Sequence, residues 1–376
     1  MSTPSYREDL ISQVPALQLL MKMGYTYLSP EEAMVARGGS GYVLLENIFR
    51  RQFPLINSID YKGKVYEFSE ANINNALRML KDLPVQDGYI NANKHFYDLL
   101  TQGESLEQNI AGAKKSFSFQ YIDWKHPENN VFHVTEEFAV KRTDRDDTYR
   151  PDVMLFVNGI PLVVIECKSP RIKEPLEEAI SQHLRNQQSH GIRDLYVYSN
   201  VLMSLSVNEA KFATTGTPKE FWAVWKEQDT DRFEELRKLK NTPLPDDEKT
   251  ALFKERYRHV RRFFDLSEEE ELRTTEQDSL LYSLCQPARL LDIMYHFIVY
   301  DAGVKKIARY QQYFAVKNTM KRIARPDSAG ARAGGVIWHT QGSGKSLTMV
   351  MLAEAIATHP DIRNPKIILV TDRVDL

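Results

Sequence analysis

Two apolar runs meet at an Asn-Gly pair in the segment PDVMLFVNGIPLVVIECKSP, residues 151–170. Asn-Gly between apolar runs is a strong signal for a tight hairpin, so the segment predicts two antiparallel strands inside a protein core. Charged residues stand at the strand ends: Asp152 opens the first strand, and Glu166 and Lys168 close the second. A buried charge is costly unless it is paired or binds a ligand, so these three residues call for a specific role.

The length of the turn decides whether the two acids face each other. A three-residue connection, 158–160, would pair Val157 with Pro161 and, further along the ladder, place Asp152 opposite Glu166. A two-residue turn would shift the register by one and put the acids on opposite faces, unless a bulge restored it. Both connections stay open at this point; the first, or the second with a bulge, lets one surface collect Asp152, Glu166 and Lys168.

Glu166 and Lys168 share one face of the second strand because side chains alternate with a period of two, while Cys167 faces away. Two adjacent carboxylates repel each other unless a cation lies between them or one is protonated. Mg²⁺ prefers a few carboxylates with water and substrate phosphate, so Asp152, Glu166 and the backbone carbonyl of Cys167 are candidate ligands. Lys168 would orient or activate water and stabilise charge on the phosphate. The pattern predicts phosphodiester hydrolysis; in the alternative, Asp152 and Lys168 cap strand ends as a surface ion pair.

A second site follows far downstream, in HTQGSGKS at residues 339–346. It lies between a predicted strand, GVIWH, and a predicted helix, KSLTMVMLAEAIATH, which is the context of a phosphate-binding loop. His339 stands where the general GxxxxGK[ST] pattern has its first glycine, and the rest matches the form common in helicase-like motors. The alternative is an ordinary glycine-rich turn. The residues that we expect to bind the nucleotide are Thr340, Gln341, Gly342, Ser343, Gly344, Lys345 and Ser346.

The chemistry of this loop depends on its backbone and two side chains. Gly342 and Gly344 let backbone N–H groups close around phosphate, and the start of the helix adds positive potential. Lys345 is expected to reach the β- and γ-phosphates, and Ser346 to bind Mg²⁺. A P-loop hydrolase also needs a downstream Asp and groups that position water. We therefore expect the 376-residue chain to end inside its motor domain and to hydrolyse little or no ATP alone.

Composition narrows the class of protein. The chain has 376 residues, 42% hydrophobic and 27% charged, which is enough for two or more globular domains. Its net charge of −2 gives no sign of a polyanionic partner, although a local basic patch would be averaged away. Cys167 and Cys285 are too few for a disulfide framework. With no signal peptide and no long apolar run, the sequence predicts a cytoplasmic protein without a membrane span.

Periodicity divides the chain into three parts of an α/β protein. The first part, residues 1–225, has helical periodicity up to about residue 110. Strand periodicity then follows in SFSFQYIDW, NVFHVTEEFAV, the hairpin and DLYVYSNVLMSLSV. This order predicts a mixed α+β domain whose central mixed sheet is flanked by helices. Residues 226–282 read as a charged helical connector with a break at NTPLPDDE. Residues 283–376 read as two helices, in PARLLDIMYHFIVYD and GVKKIARYQQYFAVKNTMKRIARP, followed by a βαβ unit that ends in KIILVTD.

Together the two sites resemble the restriction (motor/endonuclease) subunit of type I restriction-modification enzymes. The spacing Pro-Asp-x13-Glu-x-Lys is similar to that of PD-(D/E)xK nucleases, and the phosphate loop is similar to motif I of superfamily 2 helicases. Further similar phrases occur in order from about residue 120 to the C-terminus, among them YIDWKHPENNVFHVTEEF, KKIARYQQYFAV and GGVIWHTQGSGKSLTM. Residues 1–90 match only loosely.

The resemblance implies an N-terminal endonuclease domain joined to the start of a RecA-like motor domain. Such a subunit would translocate double-stranded DNA with ATP and cut unmodified DNA with Mg²⁺, as a type I site-specific deoxyribonuclease, in a complex with modification (methyltransferase) and specificity subunits. It implies that Asp152, Glu166 and Lys168 are catalytic. Gln312 stands where such motors read adenine, with Gln311 as a rival and a core-helix interpretation equally open.

Several positions depart from the family pattern or remain open. Nucleases of this type often carry Gln-x-x-x-Tyr on the helix after the site, whereas this chain has Gln182 and then Asn186 in place of the tyrosine. Gln182 and Arg373 are candidates for support of the site or contact with DNA. Glu8 is a candidate metal-supporting acid, although an ordinary helix charge is the simpler interpretation. Two alternatives remain: a motor subunit with a non-catalytic docking and coupling module, or a related nuclease–helicase fusion.

Overall fold

The structure, a computed structural model, describes residues 9–38, 42–143, 145–268, 270–328 and 330–370. Strands in these ranges are β1 (Thr26–Tyr27), β2 (Ile59–Tyr61), β3 (Lys64–Tyr66), β4 (Glu104–Ile110), β5 (Ala113–Phe119), β6 (Phe132–Glu136), β7 (Val140–Lys141), β8 (Thr148–Tyr149), β9 (Val153–Val157), β10 (Ile160–Cys167), β11 (Val201–Ser206), β12 (Glu209–Ala213), β13 (Ile298–Asp301) and β14 (Val304–Ile307).

Helices in the same ranges are α1 (Val14–Lys22), α2 (Pro30–Arg37), α3 (Glu46–Ile56), α4 (Glu70–Lys81), α5 (Tyr89–Gln102), α6 (Pro175–Asn186), α7 (Arg193–Tyr198), α8 (Asp231–Asn241), α9 (Asp246–Leu252), α10 (Arg261–Ser267), α11 (Glu276–Cys285), α12 (Pro287–His296), α13 (Tyr310–Ile323) and α14 (Lys345–Thr358). None of these described helices has the length and apolar character needed to cross a membrane.

A mixed sheet of six strands, in the order β1-β6-β9-β10-β11-β12, forms the centre of the described chain. β9 pairs antiparallel with both β6 and β10, and β11 runs parallel to β10. All residues of β9 and β10 are buried, so this hairpin needs cover on both faces. Helices α1 and α6 pack against the sheet. The predicted mixed sheet flanked by helices is therefore confirmed, except that β5 pairs with β4 outside it.

The turn at Asn158-Gly159 has two residues, because Ile160 pairs with Val157. Of the two connections that the sequence left open, the shorter one is present. Both turn residues have positive φ, at 52° and 83°, which gives a tight turn whose twist matches that of the strands. A bulge between Pro161 and Val163 then inserts one residue, and Ile165 pairs with Val153. Glu166 and Asp152 come one step further along, so the bulge restores the register of the longer connection, in which the two acids are opposite each other.

Gly159 is expected to tolerate no side chain. Its φ is +83°, and an added Cβ would lie 2.5 Å from the carbonyl oxygen of Leu45, whose N–H donates to the Gly159 carbonyl at 2.8 Å. We expect Gly159→Ala to lower the free energy of unfolding by about 3 kcal/mol, from the left-handed backbone and the backbone clash together. Urea unfolding measures this loss.

Gly112 offers a matched control for that substitution. Its φ is +84°, and a Cβ there would meet nothing within 4 Å. Gly112→Ala should therefore cost only the backbone term, about 1–2 kcal/mol. Equal losses in the two variants would show that the contact between Gly159 and Leu45 does not constrain the hairpin.

Two segments have a different secondary structure from the one predicted. DLYVY was expected to form a strand but belongs to helix α7, whose last carbonyls accept hydrogen bonds from the buried Asn93 amide, including Val197 O at 2.7 Å. The segment after α12 was expected to continue as helix but forms the β13–β14 hairpin. Its turn places Ala302 and Gly303 at positive φ, 47° and 78°, a conformation that ends a helix and favours a tight hairpin.

Residues 226–282 are helical in their described part, as predicted, with the break between α8 and α9. Their last helix, α11, packs against α1. Ser12 and Gln277 exchange two hydrogen bonds, 2.6 and 2.9 Å long, and Tyr25 donates to the carbonyl of Cys285 at 2.6 Å. Cys167 and Cys285 are both buried.

Near the C-terminus, helix α14 is confirmed but the strands around it are not. Residues 335–339 and 366–370 form no strand, and residues 371–372 of the second predicted strand lie outside the described residues. Parallel strands are stable when neighbouring strands and helices cover them, and Val336 and Trp338 are instead 92% and 90% exposed. Helix α14 packs against α13, which holds the phosphate loop next to that helix.

Candidate active site and phosphate loop

Asp152, Cys167 and Lys168 form a compact polar cluster at the open end of the central hairpin. Asp152 Oδ2 accepts a 2.7 Å hydrogen bond from the backbone N–H of Cys167 and lies 3.5 Å from Lys168 Nζ. Lys168 Nζ also donates to the carbonyl oxygen of Cys167 at 3.0 Å. The Asp152 and Lys168 side chains are only 11% and 10% exposed, so this is not the surface ion pair of the alternative interpretation. Two oxygens therefore converge on one nearly buried cation.

Glu166 lies deeper than this cluster and is fully buried. Its Oε2 accepts a 2.6 Å hydrogen bond from Gln182 Nε2, on helix α6. Because α6 packs against β10 and β11, the helix that follows the hairpin brings the amide onto the carboxylate. Gln182, a candidate for support of the site, therefore contacts Glu166 directly.

The neighbour of Gln182, His183, holds α6 in place. Its ring nitrogens lie 3.0 Å from Tyr196 Oη and 3.0 Å from the carbonyl oxygen of Met203. Burial lowers the pKa of His183 to about 4, so the ring is neutral at pH 7. His183 thus anchors the helix that carries Gln182.

Two further residues that sequence reasoning missed surround the acids. The amide of Gln13, just before α1, donates to the backbone carbonyl of Asp152 at 2.9 Å. Ser204 pairs directly with Glu166 across the β10–β11 ladder and is buried. Gln13 is 139 residues from Asp152 in sequence, so no local pattern could have identified it. Ser204 could have been found only with the strand register in hand.

The oxygen donors fit a hard divalent cation in kind. In the described part of the chain, no group of three or more His, Cys, Asp or Glu side chains is placed to hold a metal. Asp152, Glu166 and the carbonyl of Cys167 instead offer two carboxylates and one backbone oxygen. Mg²⁺ often binds through one or two carboxylates, with water and substrate phosphate completing its shell. This small donor set is therefore compatible with Mg²⁺ and does not form an all-protein cage.

The phosphate loop leads directly into helix α14, which begins at Lys345. Gly342 and Gly344 have positive φ, 76° and 80°, as a loop that turns its N–H groups inward requires. Lys345 Nζ folds back over the loop and donates to the carbonyl oxygens of His339 and Thr340, at 3.3 and 3.1 Å. The predicted loop followed by a helix is confirmed.

Gln312 contacts this loop, whereas its rival Gln311 is exposed. Gln312 Nε2 donates to the carbonyl oxygen of Gly344 at 3.2 Å, and its Oε1 accepts from the N–H of Arg309 at 2.8 Å. The side chain is therefore fixed between the start of α13 and the phosphate loop. The two other candidates, Glu8 and Arg373, lie outside the described residues.

Comparison with known proteins shows that this chain, with its hairpin and phosphate loop, matches restriction enzymes. The family model described as Type I restriction enzyme R protein N terminus matches residues 5–221, more than half of the chain, and the SWI2/SNF2 ATPase model matches residues 311–376. The chain belongs to the family of the N-terminal part of type I restriction enzyme R proteins. The resemblance seen in the sequence is thus confirmed.

Individual relatives of this chain are endonuclease subunits of type I restriction enzymes, two of them putative. The Type I restriction enzyme HindI endonuclease subunit of Haemophilus influenzae is 29% identical over 382 residues, which cover 98% of this chain and 32% of the relative. The putative MjaIXP endonuclease subunit of Methanocaldococcus jannaschii is 27% identical, over 98% of this chain and 33% of the relative. The putative MjaVIIP subunit of the same organism is 31% identical, over 69% and 21%. The chain spans about a third or less of the length of these curated relatives.

Proposed function

We propose that the hairpin cluster hydrolyses the phosphodiester backbone of DNA with Mg²⁺, and that the chain is the nuclease-bearing part of a type I restriction subunit. The observation that carries this proposal is the convergence of Asp152 Oδ2 and the Cys167 carbonyl on the ammonium of Lys168. The carboxylate and the backbone oxygen suit a divalent cation, and the nearly buried lysine ammonium beside them suits a charged phosphate group. The cluster also lies inside the region that matches the R protein family.

Each residue of the cluster has a distinct part in the proposed reaction. Bound Mg²⁺, held by Asp152, Glu166 and the Cys167 carbonyl, would supply a Lewis acid for the phosphate oxygens. Lys168 orients the attacking water and stabilises the negative charge that develops on the scissile phosphate. Gln182 holds the Glu166 carboxylate, and the Cys167 N–H holds Asp152. Burial keeps bulk water away, which strengthens these interactions.

We propose that the second site binds ATP and begins a RecA-like motor that moves double-stranded DNA. Residues 340–346 would surround the phosphates, Lys345 would exchange its present carbonyl partners for the β- and γ-phosphates, and Gln312 would contact adenine. The match to the SWI2/SNF2 ATPase model over residues 311–376, which includes Arg373, supports this role. Modification and specificity subunits are the proposed partners.

Divalent-metal titration tests the nuclease proposal. We expect the chain to bind Mn²⁺, as a spectroscopic substitute for Mg²⁺, at one hairpin site, and Asp152→Asn to weaken that binding about 10-fold or more because a charged oxygen donor is lost. Electron paramagnetic resonance of free Mn²⁺ gives both affinities.

Asp147→Asn is the control for this titration, because Asp147 is half-exposed and pairs with Arg142, not with the hairpin acids. It should leave Mn²⁺ binding unchanged. Equal affinity in wild type and Asp152→Asn would mean that the acids are structural. The non-catalytic docking and coupling module would then be the better description of the N-terminal domain.

A further inference from the structure

Arg37, the last residue of α2, is a buried cation with no acidic partner. It is 1% exposed, and its guanidinium lies over the Phe138 ring, 4.5 Å from the centroid. One terminal nitrogen donates to the carbonyl oxygen of Ala139 at 2.6 Å, and the other faces the thioether sulfur of Met34 at 3.1 Å. Within the described residues, Arg37 Nε has no hydrogen-bond partner and no carboxylate pairs with the guanidinium.

Such an arrangement is unusual because a guanidinium stays charged inside proteins. Buried charges are normally paired, and burial lowers the pKa of Arg37 with no carboxylate to oppose the effect. Arg142 provides a comparison within the same chain. It is 6% exposed and stacks over Tyr149 at 4.5 Å, yet it also forms an ion pair with Asp147 at 2.9 Å. Arg37 has the aromatic contact but lacks the anion.

Arg37 lines a cavity of about 1020 Å³. The walls of this cavity, hereafter the Arg37 cavity, are α2, residues 136–139 at and after the end of β6, and residues 247–256. Its volume is at the upper end of the range for sites that bind small molecules. The lining is mixed in charge: besides Arg37 it has three basic residues, Arg150, Lys254 and Arg256, and six acids, Glu31, Glu32, Glu136, Glu137, Asp247 and Glu255. Arg256 pairs with Glu137 at 3.1 Å, whereas no carboxylate of the described residues pairs with Arg37.

The Arg37 cavity also contains a buried acid that can donate a hydrogen bond. Glu136 is fully buried, and its Oε1 accepts from Tyr27 Oη at 2.8 Å, while its Oε2 has no partner among the described residues. Burial raises the pKa of Glu136 to about 7, so the carboxyl is protonated in a large fraction of molecules at neutral pH. Two nearly inaccessible polar groups in one cavity thus have unused hydrogen-bonding capacity.

We propose that the Arg37 cavity binds an oxyanion group, phosphate or carboxylate, of a small organic molecule, with Arg37 as its anchor. The planar guanidinium edge formed by Nε and the nitrogen that faces Met34 suits two parallel hydrogen bonds to such a group. The thioether sulfur of Met34, a weak acceptor, contacts one of these two nitrogens. Met34 is 40% exposed and has a flexible side chain, so a ligand can displace it. This site shares no side chain with the hairpin cluster but adjoins it, because the N–H of Glu137, in the cavity wall, donates to the carbonyl oxygen of Asp152 at 3.2 Å.

Thermal unfolding of the chain in inorganic phosphate, at fixed ionic strength and pH 6.5 with chloride as reference, tests this site. A ligand that binds only the folded state raises the midpoint, here by about 3 °C when phosphate is roughly 100-fold above its dissociation constant. Acetate provides the second arm. A shift with phosphate alone identifies a phosphoryl ligand, and a shift with acetate alone identifies a carboxylate ligand.

Variants connect the shift to Arg37. Arg37→Met keeps an apolar stem but removes the charge and should abolish the shift, whereas Arg142→Met should retain it. If Arg37→Met does not fold, Arg37→Lys keeps the charge without the planar edge and should weaken the apparent affinity about 10-fold. Absence of a shift with either anion, or an equal shift in the Arg37 variants and the wild type, would overturn the proposal.

Discussion

Lys168→Ala in the assembled restriction complex that contains this chain is expected to reduce DNA cleavage by about 10²–10⁴-fold. Lys168 is the cation on which Asp152 and the Cys167 carbonyl converge, so the substitution removes the group that we propose orients water and stabilises the charged phosphate. Movement along DNA, which we propose depends on the phosphate loop, should be unaffected. Plasmid linearisation and ATP hydrolysis, measured on the same preparation, separate the two activities.

Metal binding distinguishes a catalytic lysine from a structural one. Lys168→Ala leaves every oxygen donor in place and removes a cation that contacts two of them, so Mn²⁺ binding should persist or strengthen while cleavage is lost. Asp152→Asn, in contrast, should lose both. Lys173→Ala is a matched control, because Lys173 is exposed on the loop after the same strand. Cleavage within about 3-fold of wild type in Lys168→Ala would assign the lysine a structural role.

The central hairpin shows how much of the structure local sequence patterns can predict. Asn-Gly and the apolar runs predicted the hairpin, but they left the turn length and therefore the register of Asp152 and Glu166 open. The structure has the two-residue turn, and the bulge between Pro161 and Val163 restores the register of the longer connection. Sequence does not fix a bulge, because it arises from how the strand bends within its sheet. The register is set by burial in the folded sheet, because a slip of one residue would turn each buried side chain to the other face.

Contacts between distant segments account for most of what could not be predicted. Gln13 holds Asp152 across 139 residues, and Arg37 reaches Ala139 across 102. The strand expected in DLYVY became α7 because Asn93, on a distant helix, satisfies its terminal carbonyls. In each case the deciding partner is supplied by tertiary packing, which overrides local propensity. Lys168 and Lys345, in contrast, stand in local motifs, so the sequence alone could propose them as candidates.

Lys345→Ala in the assembled complex is expected to reduce ATP hydrolysis and DNA movement by about 10²–10³-fold, the effect of losing one charge-stabilising donor. In the structure Lys345 Nζ is held by the carbonyls of His339 and Thr340, next to where the nucleotide phosphates are proposed to bind. Alanine cannot neutralise the β- and γ-phosphates. Cleavage that depends on movement along DNA should fall with it, although the hairpin cluster and its Mn²⁺ affinity remain intact.

This pattern of losses differs from that expected for Lys168→Ala, which loses cleavage but keeps ATP hydrolysis and movement, so the two variants together assign each site to its own reaction. ATP hydrolysis is measured as phosphate release with and without DNA, and movement by displacement of a labelled third strand from the duplex. Lys366→Ala, which removes an exposed lysine from the segment after α14, is the control and should behave as wild type. ATP-driven displacement by Lys345→Ala at the wild-type rate would show that residues 340–346 do not power the motor.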